Sequence, residues 1–371
     1  MKYQRMIMEA EAPNLLGYEN FLYNLTESSV RDRSLQELGV DFGDMSLPYG
    51  HHFGRADLRS LIADISGENI SADDVLVTAG AAGALFIIST CLLDPEAHMV
   101  VGFPNYATNY ETPYAIGARV EHHVQTFDQG FRIDLDTIES QITDQTRFLS
   151  LTCPHNPTGV MFTRQELDRL VEIVERKGCW LVLDETYREM AYGEALPVAA
   201  SLSDKVISVS SMSKTYGIPG IRIGWLITRD KSLMHHFISA KEQIGITGSV
   251  LDETVAYQTL ARRDELLPKI REEIREGFQI FKDWVQNEKR LEWVEPDGGV
   301  TCCVRMIGAS ESEMKHFYEV LKTKYKTLVG PGYWFKLPYT YMRIGFGWTR
   351  PADTMKGLEC ISNAIQDCFA D

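Results

Sequence analysis

A lysine, Lys214, lies in the run Ser210-Ser211-Met212-Ser213-Lys214-Thr215-Tyr216-Gly217, directly after an apolar stretch that ends at Val209. An amine set among small residues at the end of an apolar run suits Schiff-base chemistry with a carbonyl, whereas most lysines are solvated surface groups. Arg222 follows in Gly220-Ile221-Arg222-Ile223-Gly224. A second apolar run, Trp180-Leu181-Val182-Leu183, leads into Asp184-Glu185-Thr186-Tyr187. A carboxylate there is costly to bury unless it meets a cation, and the alternative is a helix N-cap at Asp184. In Cys153-Pro154-His155-Asn156-Pro157-Thr158-Gly159, two prolines and a glycine fix a turn and hold Asn156 as a rigid side-chain donor. Phe103-Pro104-Asn105-Tyr106 puts an aromatic after another apolar run, able to stack on a flat ring or simply to pack. Ala79-Gly80-Ala81-Ala82-Gly83 opens a helical pattern with small residues. Exposed amides and the helix dipole would make a phosphate site there, though the same residues also allow plain helix–sheet packing. The pattern is not G-x-G-x-x-G, so the dinucleotide fingerprint is absent at this site.

These groups form one site only if the apolar runs before them are neighbouring strands. Residues 75–78, 99–102, 148–151, 180–183, 205–209 and 223–228 are β-rich and lack polar alternation. Helical patterns separate them, such as 164–177 with Leu167, Leu170, Val171 and Val174 on one face. That alternation predicts an α/β fold with a mostly parallel sheet covered on both faces, and ligands beyond the carboxyl ends of its strands. From about residue 266 the character changes. A charged amphipathic helix over 269–287, short strands near 301–305 and 341–346, and a closing helix predict a smaller α+β domain. The expected division is a large domain over 46–265 and a small one over 266–371, with residues 1–45 an irregular arm that joins the latter.

With 371 residues, 44% hydrophobic and 24% charged, the chain is globular and large enough for two domains. Its 37 basic residues against 52 acidic ones give a net charge of −15, which argues against nucleic acid or an anionic membrane as partner. The apolar-rich run 79–93 is too short and too interrupted to span a bilayer, and the start lacks a secretory apolar core, so a cytoplasmic protein is expected. The seven cysteines contain no C-x-x-C pair and read as reduced core thiols. The pairs His51-His52, His122-His123 and His235-His236 lack an i, i+4 spacing, so no metal site is expected.

Three segments carry a family resemblance: S-x-S-K-x-x-G-x-x-G-x-R-x-G from Ser211 to Gly224, Asn156-Pro157-Thr158-Gly159, and Asp184-Glu185-Thr186-Tyr187. In order and spacing they resemble the class I/II aminotransferases among the fold-type I pyridoxal-phosphate enzymes, over roughly residues 49–346. The resemblance implies an aspartate aminotransferase-like fold, pyridoxal 5'-phosphate as cofactor, and transfer of an amino acid's α-amino group to a 2-oxo acid. By the same resemblance Lys214 would hold the cofactor as an internal aldimine and then shuttle the Cα proton. Asp184 would keep the pyridine nitrogen protonated. Asn156 and Tyr187 would bond the phenolic oxygen, with Asn156 also counted among the substrate contacts, and Tyr106 would stack on the ring. The amides of Ala81 and Ala82, with Ser211, Ser213 and Arg222, would hold the phosphate. Tyr49 matches the tyrosine that reaches the neighbouring subunit's phosphate, which implies a homodimer with shared sites. Arg343, in Tyr341-Met342-Arg343-Ile344-Gly345-Phe346, matches the arginine that forks the substrate α-carboxylate, a task for a planar guanidinium.

The arm departs from the pattern. Tyr23-Asn24-Leu25-Thr26-Glu27-Ser28-Ser29-Val30 replaces a glycine-rich turn, and a similar polar arm occurs in enzymes that resemble capreomycidine synthase. A lyase or cyclase acting at Cβ is therefore the alternative reaction; Lys214 and Asp184 serve both. Glu27 is read either as a solvated carboxylate or, with Thr26 or Ser28, as part of the substrate side-chain pocket, where it would favour a basic or polar amino acid.

Overall fold

The computed structural model describes residues 1–369, which form twelve strands. In chain order they are β1 (Tyr23–Leu25), β2 (Val75–Ala79), β3 (His98–Phe103), β4 (Arg119–Val124), β5 (Thr146–Thr152), β6 (Trp180–Asp184), β7 (Val206–Ser211), β8 (Ile223–Ile227), β9 (Leu291–Trp293), β10 (Thr301–Met306), β11 (Thr327–Pro331) and β12 (Tyr341–Gly345). The first sheet has seven strands in the order β2-β8-β7-β6-β5-β3-β4. Its neighbours pair in parallel, except that β8 runs antiparallel to both β7 and β2. The connection between β7 and β8 explains the exception. Residues 212–222 are too few for the crossover helix a parallel partner needs, so the chain turns straight back. That return puts Lys214, just past the carboxyl end of β7, at the same sheet edge as Arg222, just before β8.

The pleat divides each strand between two cores. Val182 faces a cluster with Leu85, Ile88, Leu233 and Phe237, from the helices Gly80–Leu92 and Lys231–Gly245. Leu181 and Leu183 face the other cluster, with Leu167, Leu170 and Val174 of the helix Arg164–Lys177. That helix starts at a Thr163–Glu166 capping box and stops at Gly178, whose φ of 75° closes it.

The second sheet has the order β1-β11-β12-β10-β9, with only β1 paired in parallel. Helices Arg263–Val285, Glu311–Thr323 and Pro351–Phe369 accompany it. One apolar core runs continuously from Leu58 and Val75 through Ile274 to Phe346 and Leu358, so the two sheets share packing. Two expectations shift. The helix expected from residue 269 begins at Arg263 and encloses Pro268, and the arm, expected to be irregular, contains the helical turns Ile7–Ala10 and Pro13–Leu16 as well as β1. No helix among the described residues is long and apolar enough to cross a membrane.

Candidate active site

A cavity of about 320 Å³ opens beyond the carboxyl ends of the first sheet, where an open α/β sheet leaves its crevice. Lys214, Asp184, Tyr187 and Asn156 line it, as do Ala81, Ala82, Ser211, Ser213, Arg222 and Tyr106. Arg343 closes it from β12, and Glu27 from the arm. Tyr49 does not: it stands 85% exposed on the loop before residue 50.

Ala81 and Ala82 lie in the first turn of the thirteen-residue helix Gly80–Leu92, where backbone amides have no helical partner. β8 passes this turn so closely that a Cβ on Gly224 would sit 2.5 Å from the Gly80 carbonyl carbon and 2.6 Å from the Ala81 nitrogen. Glycine is therefore required there. Arg222, at φ 52°, adopts a left-handed conformation, donates from Nη1 to the Pro219 carbonyl at 2.9 Å and lies against Gly80. Among the described residues neither Arg222 nor Lys214 forms an ion pair. A helix start, two hydroxyls and a guanidinium without an ion partner make a seat for a phosphate.

Asp184 does not cap a helix, since the short turn Arg188–Met190 begins after Tyr187, but its side chain does order the local chain. Oδ1 accepts from the Thr186 N–H at 3.1 Å and the Thr186 hydroxyl at 2.6 Å, capping its own turn. No protein group among the described residues donates to Oδ2. Burial raises the affinity of the carboxyl for its proton, opposed by the two Thr186 bonds and by the charge of Lys214. Glu185, next along, is buried on the opposite side and accepts from the Ala199 N–H at 2.8 Å; burial pushes it up to about 7.

Arg343 is 4% exposed. Nη1 donates to Asn156 Oδ1 at 2.8 Å, Nη2 donates to the Thr26 carbonyl at 2.6 Å, and the guanidinium lies 4.9 Å over the Phe335 ring. Its Nε is buried with no partner among the described residues, an unusual state for so strong a donor. The Tyr187 hydroxyl donates to Ser28 Oγ at 2.9 Å, which ties the site to the arm. The Tyr106 hydroxyl donates to Glu9 Oε1 at 2.8 Å, and burial first, then Glu9, hold that phenol well above its ordinary range. Glu9, Tyr18, Thr186 and Trp334 also line the cavity and escaped sequence reasoning. Thr186 carried a local signal, since Asp-x-Thr is the pattern of a side chain capping its own turn. Glu9 and Trp334 carried none, because their neighbours are remote in sequence.

Residues 29–357 match the family model of class I and II aminotransferases. The chain belongs to this family. An arginine–pyruvate transaminase of Pseudomonas aeruginosa is 34% identical over 259 residues, 67% of this chain and 64% of that protein. The chain therefore spans slightly less than two thirds of that relative. A capreomycidine synthase of Streptomyces vinaceus is 28% identical over 78% of this chain and 74% of its own. A pyridoxal-phosphate-dependent aminotransferase from Streptococcus suis superposes with a TM-score of 0.92 at 27% identity, covering 100% of both chains. The fold is the aspartate aminotransferase-like fold type I, and the cofactor is pyridoxal 5'-phosphate. The residues present fit that cofactor: a phosphate seat, an amine without an ion partner, and a carboxylate oxygen without a protein donor meet in one cavity.

Proposed function

We propose that this aminotransferase-family enzyme moves the α-amino group of an amino acid to a 2-oxo acid, with Lys214, Asp184 and Arg343 as the working side chains. The observation that carries the reading is their convergence on one cavity with the phosphate seat. The bound cofactor supplies an electron sink for the charge left at Cα when its proton departs. Lys214 Nζ is the nucleophilic amine that anchors the cofactor and carries the proton at Cα. Asp184 would keep the ring nitrogen protonated. Ala81, Ala82, Ser211, Ser213 and Arg222 would hold the phosphate, Tyr106 would pack on the ring, and Asn156 and Tyr187 would hydrogen-bond its phenolic oxygen. Arg343 takes the α-carboxylate: its plane is fixed by Asn156, Thr26 and Phe335, and its Nε has no acceptor among the described residues. Glu27, lining the cavity from the arm, favours a basic or polar donor over an acidic one.

Borohydride reduction of the holoenzyme should fix the cofactor to the peptide that contains Lys214, and label on another lysine would refute the assignment. A panel of amino acids, each with and without a 2-oxo acid, separates the reactions. Transamination yields the donor's 2-oxo acid and depends on the acceptor. A Cβ lyase or cyclase, the reaction to weigh because a capreomycidine synthase is among the relatives, needs no acceptor.

A further inference from the structure

The arm brings a second carboxylate to the same cavity. Glu9, on the helical turn Ile7–Ala10, lines it together with Glu27. Each glutamate commits one oxygen. Glu9 Oε1 accepts from the Tyr106 hydroxyl at 2.8 Å, and Glu27 Oε1 accepts from the Tyr18 hydroxyl and the Asn24 amide, both at 3.4 Å. Among the described residues, Oε2 of neither glutamate accepts a hydrogen bond, and neither glutamate pairs with a lysine, arginine or histidine. The turn that carries Glu9 is tied down just beyond it. Glu11 Oε2 accepts from the Tyr333 hydroxyl and from Trp334 Nε1, both at 2.7 Å.

The cavity thus holds two half-buried carboxylates without a direct ion-pair partner among the described residues and, in Arg343 Nε, a buried donor with no acceptor among them. A ligand that satisfies all three carries an anion for Arg343 and a cation for the arm. Two acceptors from separate segments, each with one oxygen already fixed, ask for several N–H groups in a fixed plane, which a guanidinium offers and an ammonium does not. Trp334 and Tyr18, one face of which stacks on Trp348 at 5.9 Å, line the same cavity, and aromatic rings are groups on which a guanidinium can stack.

We propose that Glu9 and Glu27 together form a distal subsite for a guanidino group, so that the preferred donor is arginine or a derivative that keeps the guanidinium. The inference rests on the aminotransferase reading for its reaction but not for its binding.

The test compares arginine with citrulline, which has the same shape but a neutral ureido end, and with lysine. In the wild-type holoenzyme kcat/KM for arginine should exceed that for citrulline by about a hundredfold or more, and should exceed that for lysine. Glu9→Gln keeps an oxygen for the Tyr106 hydroxyl, so a shift in the arginine-to-citrulline ratio reads charge rather than folding. The ratio should fall by about tenfold or more. Binding is read separately by calorimetry with 5-guanidinopentanoate, arginine without its α-amino group, against its ureido counterpart; the guanidino ligand should bind more tightly and lose that advantage in Glu9→Gln. Equal use of citrulline, a preference for lysine, or a ratio and a binding gap unchanged by Glu9→Gln would overturn the subsite and leave the reaction standing. Tight guanidino binding without conversion of any amino donor would support the subsite and sink the transaminase reading instead.

Discussion

In the proposed reaction Asp184 divides one carboxylate between two tasks, and charge and turn can be separated by mutation. Oδ1 is held by Thr186, while Oδ2 has no protein donor among the described residues. Asp184→Asn keeps the first oxygen and removes the charge. Burial raises the folded-state pKa of this aspartate above its ordinary 3.8, so the cofactor-free fold binds its proton more tightly than the unfolded chain does. Its contribution to stability therefore declines as pH rises from about 4 through the raised pKa, and stays lost above it. At neutral pH the cofactor-free Asp184→Asn variant should melt no lower than wild type. Its transamination should nonetheless fall by orders of magnitude, because each 1.36 kcal/mol is about tenfold in rate and a charge in a dry site contributes several kcal/mol. A rate within about threefold of wild type would reduce Asp184 to a turn cap.

The short return from β7 to β8 is the element on which the phosphate seat depends. It places Lys214 and Arg222 at one edge and presses Gly224 against the first turn of the helix Gly80–Leu92. Gly224→Ala has backbone, not a movable side chain, in its way, so about 1–3 kcal/mol of stability should be lost. Cofactor affinity should fall with it, read by melting of the cofactor-free protein and by titration with pyridoxal phosphate. Loss of stability with unchanged affinity would show that the turn is not part of the seat. The strands of the first sheet were legible because both faces of most are covered and their sequences are continuous apolar runs. β4, Arg-Val-Glu-His-His-Val at the sheet edge, was not, since half of it faces solvent and its composition is that of a loop. β1 is three residues long, and the turns of the arm are four each, too short for any periodicity to show. The motif residues that follow strands were readable in place. The acidic lining from the arm was not, because only the tertiary fold brings Glu9 to Tyr106.

At the scale of the whole molecule, an apolar surface adjoins the phosphate end. A second cavity of about 430 Å³ lies behind Arg222, lined by Ile244, Gly248 and Ser249, and Leu47, Tyr49, Ile244 and Ile246 are all exposed large apolar residues. These features support the proposed homodimer, in which Tyr49 from one copy would complete the phosphate seat of the other. Light scattering should give a dimer. Mixing Lys214→Ala and Tyr49→Ala subunits should regain activity above the mean of the two parents, since a mixed dimer contains one intact site; a monomer, or no gain, would place Tyr49 outside the chemistry. A final consequence follows from the bond between Arg343 and the Thr26 carbonyl, which spans 317 residues of chain. During synthesis at about 5–20 residues per second, the arm leaves the ribosome roughly 15 to 60 seconds before its partners on β11 and β12. The last strand of the first sheet, β8, precedes β11 by about 100 residues, or roughly 5 to 20 seconds, during which β1 waits as an unpaired edge. The strands that flank Lys214 and Arg222 are thus synthesised well before the strand that carries Arg343.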